Sequence, residues 1–239
     1  MRPPSGEGET APAVKGGEGG RPEEALRNRY LRVRSLAEAS ARREGGVRED
    51  LGRYLELAGQ YGAAAGRILR REDLRLDPRV RLKCQVPRCR HFGACANCPP
   101  FVPNLAEAPE LIGRYSWGLL LRWDWERAAP AAAGMASRRA VYEAIGAVEA
   151  AAFYDGYYLA AGFASGSCRR YLCKGEPCRA LVIPGEGCRF PLLSRPSLEA
   201  AGFDAYGMAR DAGWDMYPAG SHPPEEVCRL TAVALVLID

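Results

Sequence analysis

Eight of the nine cysteines in this 239-residue chain fall into two groups of four. Cys84, Cys89, Cys95 and Cys98 are separated by four, five and two residues, and Cys168, Cys173, Cys178 and Cys188 by four, four and nine. Four thiolates around one point form a soft, anionic ligand set that suits either tetrahedral zinc or an iron–sulfur cluster. Zinc ribbons usually present two short Cys-x-x-Cys knuckles, whereas here only Cys95 and Cys98 make such a pair. A four-iron cubane is wider than a single ion and can take ligands from longer, irregular gaps. Cys98 also precedes Pro99, as the last cysteine of the bacterial ferredoxin run precedes a proline. Proline there turns the chain away and removes an N–H that would need a partner. The ferredoxin spacing itself is absent, as is the Cys-x-x-x-Cys-x-x-Cys spacing of radical enzymes that use S-adenosylmethionine. The eight cysteines are therefore read as ligands of two metal centres, two four-iron clusters in the first place and zinc as the alternative.

The bland reading of grouped cysteines is a disulfide framework, which belongs to oxidising compartments and small secreted chains. Residues 1–20 are rich in Gly, Pro and Glu and lack the apolar core of a signal peptide, so a cytoplasmic location is expected. Charge agrees with metal ligation. Residues 82–103 carry Lys83, Arg88 and Arg90 without an acid, and residues 165–196 carry six Lys or Arg against Glu176 and Glu186. A four-thiolate centre is a net dianion that such charges offset. A nucleic-acid patch is the weaker reading of the same charge, because aromatic interleaving is sparse and no recognition helix is evident. The formal charge of +4 is mild, and no apolar run approaches the ~20 residues of a membrane-spanning helix.

Other chemistries find little support. There is no phosphate-binding Gly-x-x-x-x-Gly-Lys-Ser/Thr loop and no dinucleotide fingerprint. The two histidines are His91, inside the first cysteine group, and His222. His91 is either an alternative ligand, a donor to sulfur or a partly exposed loop residue. Ser167 and Ser197 have no histidine partner, which argues against serine hydrolase chemistry. Whether the chain is an enzyme is left open by the sequence.

The elements that must position the cysteines follow from periodicity. Residues 1–22 read as a disordered tail and 23–46 as a helical extension ended by Gly45 and Gly46. The metal-binding domain then occupies 47–239. Leu51, Tyr54, Leu55 and Ala58 predict a helix stopping near Gly62. Strands are expected at about 65–70, 116–124, 157–163 and 230–238, the last an unbroken apolar run suited to a central strand covered on both faces. Val80 and Leu82 alternate on the way into the first cysteine group, which reads as a ligand loop after a turn at Asp77-Pro78. Asn104 is a candidate cap for a helix ending at Gly113. Ala128 to Ala136 reads as a linker, Ser137 as the cap of a helix ending at Gly156, Pro196 as the first turn of a helix ending at Gly202, and Asp204 as the cap of another ending at Gly213. Phe92, Phe101, Tyr171 and Phe190 are placed to limit water access, and Cys228 reads as a buried core thiol. The fold class is α/β or α+β, a mixed sheet packed with helices that carries two cysteine loops on one side.

Two blocks carry a resemblance. Lys83 to Pro100, and then Gly166-Ser167-Cys168 through Cys178-Arg179, Cys188-Arg189-Phe190-Pro191 and Arg195 to Gly202, resemble an uncharacterised prokaryotic family of predicted metal-binding proteins, a domain of unknown function. The resemblance runs from about Val47 to the C-terminus. It implies metal, iron–sulfur in particular, and no known substrate. The leading expectation is electron transfer with a redox partner protein. A zinc-held interaction module and a protein that handles metal for delivery are the rivals, and the oligomeric state is not written in the sequence.

Overall fold

The computed structural model describes residues 36–126, 131–217 and 229–238. The calls on residues 1–22 and on Cys228 lie outside the described residues. Helix α1 spans Leu36–Gln60, strand β1 Ala65–Arg70, helix α2 Pro78–Gln85, helix α3 Pro109–Ile112, strand β2 Trp117–Glu126 and helix α4 Ala131–Tyr154. There follow strand β3 Ala161–Phe163, helix α5 Cys168–Tyr171, helix α6 Arg179–Val182, helix α7 Leu198–Ala201, helix α8 Ala205–Asp211 and strand β4 Arg229–Ile238.

The strands form one sheet in the order β1-β2-β4-β3, each neighbouring pair antiparallel. A parallel bridge joins Ala164 to Ser197 just beyond β3. The long apolar run of β4 lies between β2 and β3, as a doubly covered strand must. Its alternation sorts the core: Ala232, Ala234, Val236 and Ile238 face the layer of α1 and α4, while Val233, Leu235 and Leu237 face α7 and α8. Leu119, Leu121 and Trp123 of β2 join the first layer and Leu120 the second. The class is the expected one, helices packed on both faces of a sheet.

Several boundaries differ from the sequence reading, each for a local reason. α1 continues through Gly45 and Gly46 instead of ending there. Two interior glycines cost about 2 kcal/mol, less than the packing of the fully buried Leu51, Tyr54 and Ala58 that follow in the same helix returns. The segment with Val80 and Leu82 is helix α2 and not an extended approach. Asp77 accepts from Arg79 N at 2.8 Å and Pro78 occupies the first turn, so the Asp-Pro pair starts a helix that carries Cys84 in its last turn. α4 starts at Ala131, ahead of Ser137, where alanines favour helix. Asn104 caps only a turn, bonding Ala106 N, and α3 begins later at Pro109. Tyr157 to Ala160 is a turn closed by Ala160 N to Tyr157 O at 2.9 Å, which leaves β3 three residues long. The Gly202 stop and the Asp204 cap are as anticipated, whereas Pro196 lies one residue ahead of the α7 cap, Ser197, and not in the first turn. Ser197 accepts from Ala200 N, Asp204 accepts from Gly207 N, and Gly202 ends α7 at φ 98°, a left-handed position that favours glycine.

Candidate metal centre

The first cysteine group leaves α2 at Cys84 and runs through a series of tight turns: Cys89 N bonds Cys84 O, Phe92 N bonds Cys89 O, and Cys98 N bonds Cys95 O. The second group starts where β3 ends. The chain crosses Ser165 to Ser167, forms α5 from Cys168, and folds back over α4 through Cys173, Cys178 and Cys188. Tyr142 of α4 fixes the start of that loop by donating to Gly166 O at 2.9 Å. Gly146 of α4 fixes its end, since a Cβ there would meet Leu192 O at 2.9 Å. A side chain at position 146 would push the loop off the helix.

The two loops meet. Cys95 Sγ lies 3.3 Å from Cys168 Sγ, joining thiols 73 residues apart in the chain. Cys98 Sγ donates to Ser167 Oγ at 3.5 Å, and Ser194 Oγ donates to Cys168 Sγ at 3.4 Å. Asn97 Nδ2 lies 3.6 Å from the same sulfur and donates to Ser194 Oγ at 2.6 Å. Cys95, Cys98 and Cys168 are buried and belong to the same core cluster as Tyr142, Leu172 and the α4 face. Cys84, Cys89, Cys173, Cys178 and Cys188 are half-buried, and none of these eight thiols is in a disulfide.

A cavity of about 250 Å³ opens between the loops, lined by Cys95, Cys168, Cys173, Cys178 and Cys188 together with Asn97 and Ser194. Among the described residues no three His, Cys, Asp or Glu side chains converge as a single-ion site. Five of the eight thiols, the whole second group and Cys95 of the first, sit around the cavity wall instead, and Cys84, Cys89 and Cys98 do not line it. Backbone N–H groups point at sulfur in both loops: Phe190 N to Cys188 Sγ at 3.3 Å on the cavity wall, and His91 N to Cys89 Sγ at 3.5 Å away from it.

The electrostatics are those of a shared thiolate. Hydrogen bonds from Cys168 and then Cys98 draw the Cys95 thiol far below its usual range, and the same bonds from Cys95, with burial, push Cys98 and Cys168 up. Burial raises Cys84 and Cys173. Arg189 bonds Pro177 O at 2.6 Å and reaches Cys173, while Arg169 bonds the Gly175 and Glu176 carbonyls, so cations are fixed to the loop backbone beside the thiols. His91 has its Nδ1 buried with no partner among the described residues, and burial depresses its basicity. Its Nε2 accepts from Arg90 at 3.3 Å.

Of the aromatic residues expected to exclude water, Tyr171 and Phe190 pack on the core cluster, whereas Phe101 is 52% exposed and turns outward. Three partners of the thiols escaped the sequence reading: Asn97, Ser194 and, in this role, Ser167. Asn97 and Ser167 are immediate neighbours of Cys98 and Cys168, which is the signal that was there to use. Ser194 is brought in by the fold.

The fold and this thiol cluster define a cysteine-rich α+β protein. The chain belongs to the family described as predicted metal-binding protein (DUF2284), whose model matches residues 67–238 and so spans both cysteine groups. No curated protein and no solved structure matches the chain. Among the described residues no helix is long and apolar enough to cross a membrane.

Proposed function

We propose that the protein is an iron–sulfur protein that passes single electrons, as a carrier or as the redox subunit of an enzyme complex. Cys84, Cys89, Cys95 and Cys98 serve one centre, and Cys168, Cys173, Cys178 and Cys188 the other. The observation that supports this best is the cavity itself, about 250 Å³ walled by five thiols. A lone zinc ion bonded to four sulfurs at ~2.3 Å would draw them into a tetrahedron of ~3.8 Å edge, and a space of this size with donors aimed at sulfur suits a larger inorganic core. A thiolate-ligated cluster accepts and releases one electron at a potential set by hydrogen bonds, charge and exposure. The chain supplies those settings. Asn97, Ser194 and the His91 and Phe190 amides hydrogen-bond the sulfurs, and Arg169 and Arg189 offset the thiolate charge. The contact of Cys95 with Cys168 makes the two centres neighbours. A redox partner protein is expected at the outer rim of the second loop, where half-buried Cys178 and Cys188 border exposed Val182 and Ile183.

The test is metal and acid-labile sulfide analysis of anaerobically purified protein. Broad absorption near ~400 nm with iron and sulfide near ~8 each per chain is the expected result for two four-iron centres. Colourless protein with stoichiometric zinc sinks the electron-transfer reading.

A further inference from the structure

A second cavity, of about 540 Å³, lies between the two cysteine loops and the start of β4. That size holds a small organic molecule. Arg90, Arg138 and Arg170 reach it, against the two acids Glu126 and Glu199, and Met135 and Met216 give it an apolar wall.

Arg138 is the unusual member. Other half-buried guanidinium groups have acceptors within reach: Arg53 has Asp50 and Asp155, Arg122 has Asp124 at 3.1 Å, Arg195 has Glu149 at 2.5 Å, and Arg67 and Arg81 donate to the Ala212 and Val102 carbonyls. Arg138 has rings instead, with Trp125 at 4.3 Å and Tyr171 at 5.5 Å from its guanidinium carbon. Among the described residues no carboxylate or other acceptor lies within hydrogen-bond or ion-pair distance of it, and Glu199 on the cavity wall acts on it only as a more distant charge. Burial lowers its pKa against the opposing pull of Tyr171, Tyr142 and Glu199, and the Arg170 charge, itself 5.5 Å from the Tyr171 ring, lowers it further. A desolvated guanidinium without an anion is costly. Stacking on two rings holds its planar donor fork in one orientation without using the donors.

We propose that this cavity binds a small organic oxyanion, a carboxylate or a phosphate ester with an apolar body, whose oxygens take the Arg138 guanidinium and whose body lies along Met135 and Met216. A bidentate pair of charge-assisted hydrogen bonds completes the group that the fold leaves open, and Arg170, which also lies by the Tyr171 ring, adds charge. Cys89 and His91 line the same cavity, so the bound molecule sits beside the first cysteine group. The site goes beyond electron transfer and does not depend on which metal the cysteines hold.

The experiment is calorimetric titration of the full-length, anaerobically purified protein with phenyl phosphate and with benzoate, using benzyl alcohol as the neutral control. The parent is expected to bind at least one anion and not the alcohol. Arg138→Met should weaken that binding at least ~10-fold while melting at or above the parent temperature in ligand-free buffer, because it removes an unpaired charge. Arg138→Lys, which keeps the charge without the fork, should fall between the two. The proposal is overturned if the parent binds neither anion at ~10 mM, if the alcohol binds as well as the anions, or if Arg138→Met keeps affinity within ~3-fold. A lower melting temperature for both variants would also overturn it, by making Arg138 a structural clamp. Iron and sulfide measured on the same samples separate this result from that of the metal assay: a zinc protein that binds phenyl phosphate through Arg138 retains the site.

Discussion

Two buried polar systems flank helix α4, and they are built on opposite plans. Near its C-terminal end, Asp50 and Asp155 are matched to Arg53, to the Tyr54 hydroxyl at 2.9 Å and to the Tyr157 hydroxyl at 3.0 Å. Charge is balanced by charge from the chain itself, with Arg53 Nε the one guanidinium atom there that is buried without a partner. Roughly 18 Å away along the helix, Cys95, Cys98 and Cys168 crowd together with only neutral partners, Asn97, Ser167 and Ser194. The first system is complete as the chain folds. The second gathers thiols against which, among the described residues, no side-chain cation is fixed within hydrogen-bond distance, an arrangement that a metal would complete.

The largest expected effect tests that contrast directly. Replacing Cys95, Cys98 and Cys168 together by serine removes ligands from both groups, and we expect essentially all bound metal to be lost. The far-UV circular dichroism should be retained, since the sheet with α1, α4, α7 and α8 has its own core on both faces. Metal analysis and dichroism on one sample decide it. Collapse of the secondary structure with the metal would show that the frame is not self-sufficient.

The complementary variant breaks the other system. Asp50 has 2% of its side chain exposed and pairs with Arg53. Asp50→Ala leaves that guanidinium and the Tyr157 hydroxyl without this partner, at a cost of about 3 kcal/mol, read as a lower urea midpoint. Metal content per folded chain should not change. If it falls, the two ends of α4 are coupled and the contrast is too sharp.

The sequence made the frame more legible than the site. β4 could be recognised because seven consecutive apolar residues, Ala232 to Ile238, have only one place to go in a sheet, and Gly202 and Asp204 announced their helix ends because caps act within a turn. Val80 and Leu82 misled, since two residues at a spacing of two fit a strand or a short helix equally, and the Asp77-Pro78 start outweighed them. The eight thiols could be singled out as candidate ligands from residue type and spacing. Their meeting could not, because the contact of Cys95 with Cys168 is made by β3 delivering one loop against the other, and no local pattern encodes a pairing 73 residues long. The same holds for Ser194, whose approach depends on Gly146 admitting the returning chain.

A smaller effect sharpens the description of the thiol cluster. Ser194 accepts from Asn97 and donates to Cys168. Ser194→Ala should leave the fold intact and weaken metal retention by about tenfold, the range seen when a hydrogen bond to a ligand is lost. Competition with a chelator measures it. Unchanged retention would remove Ser194 from the set that tunes the centre.

The smallest effect lies in the closed network and has a definite pH sign. Tyr54 is fully buried, and burial first, then the Asp155 charge beside its hydroxyl, raises its pKa far above the usual value. In the unfolded chain the phenol ionises near ~10. Below that pH both states hold the proton, and Tyr54 contributes no slope. Above it the unfolded chain releases the proton and the folded chain keeps it, so the folded state binds more protons and stability falls as pH rises. Tyr54→Phe should cost about 1 kcal/mol near neutral pH, because Asp155 keeps Arg53 at 3.1 Å. The variant should also lose stability less steeply than the parent above pH ~10, where that phenol no longer titrates. The buried Tyr142, whose pKa is raised by the same cause at the cysteine end of α4, continues to contribute its slope in both proteins. Urea unfolding of the two proteins on either side of pH ~10 gives the comparison: identical slopes would place the Tyr54 hydroxyl in contact with solvent and open the network that distinguishes this end of the helix from the thiol cluster.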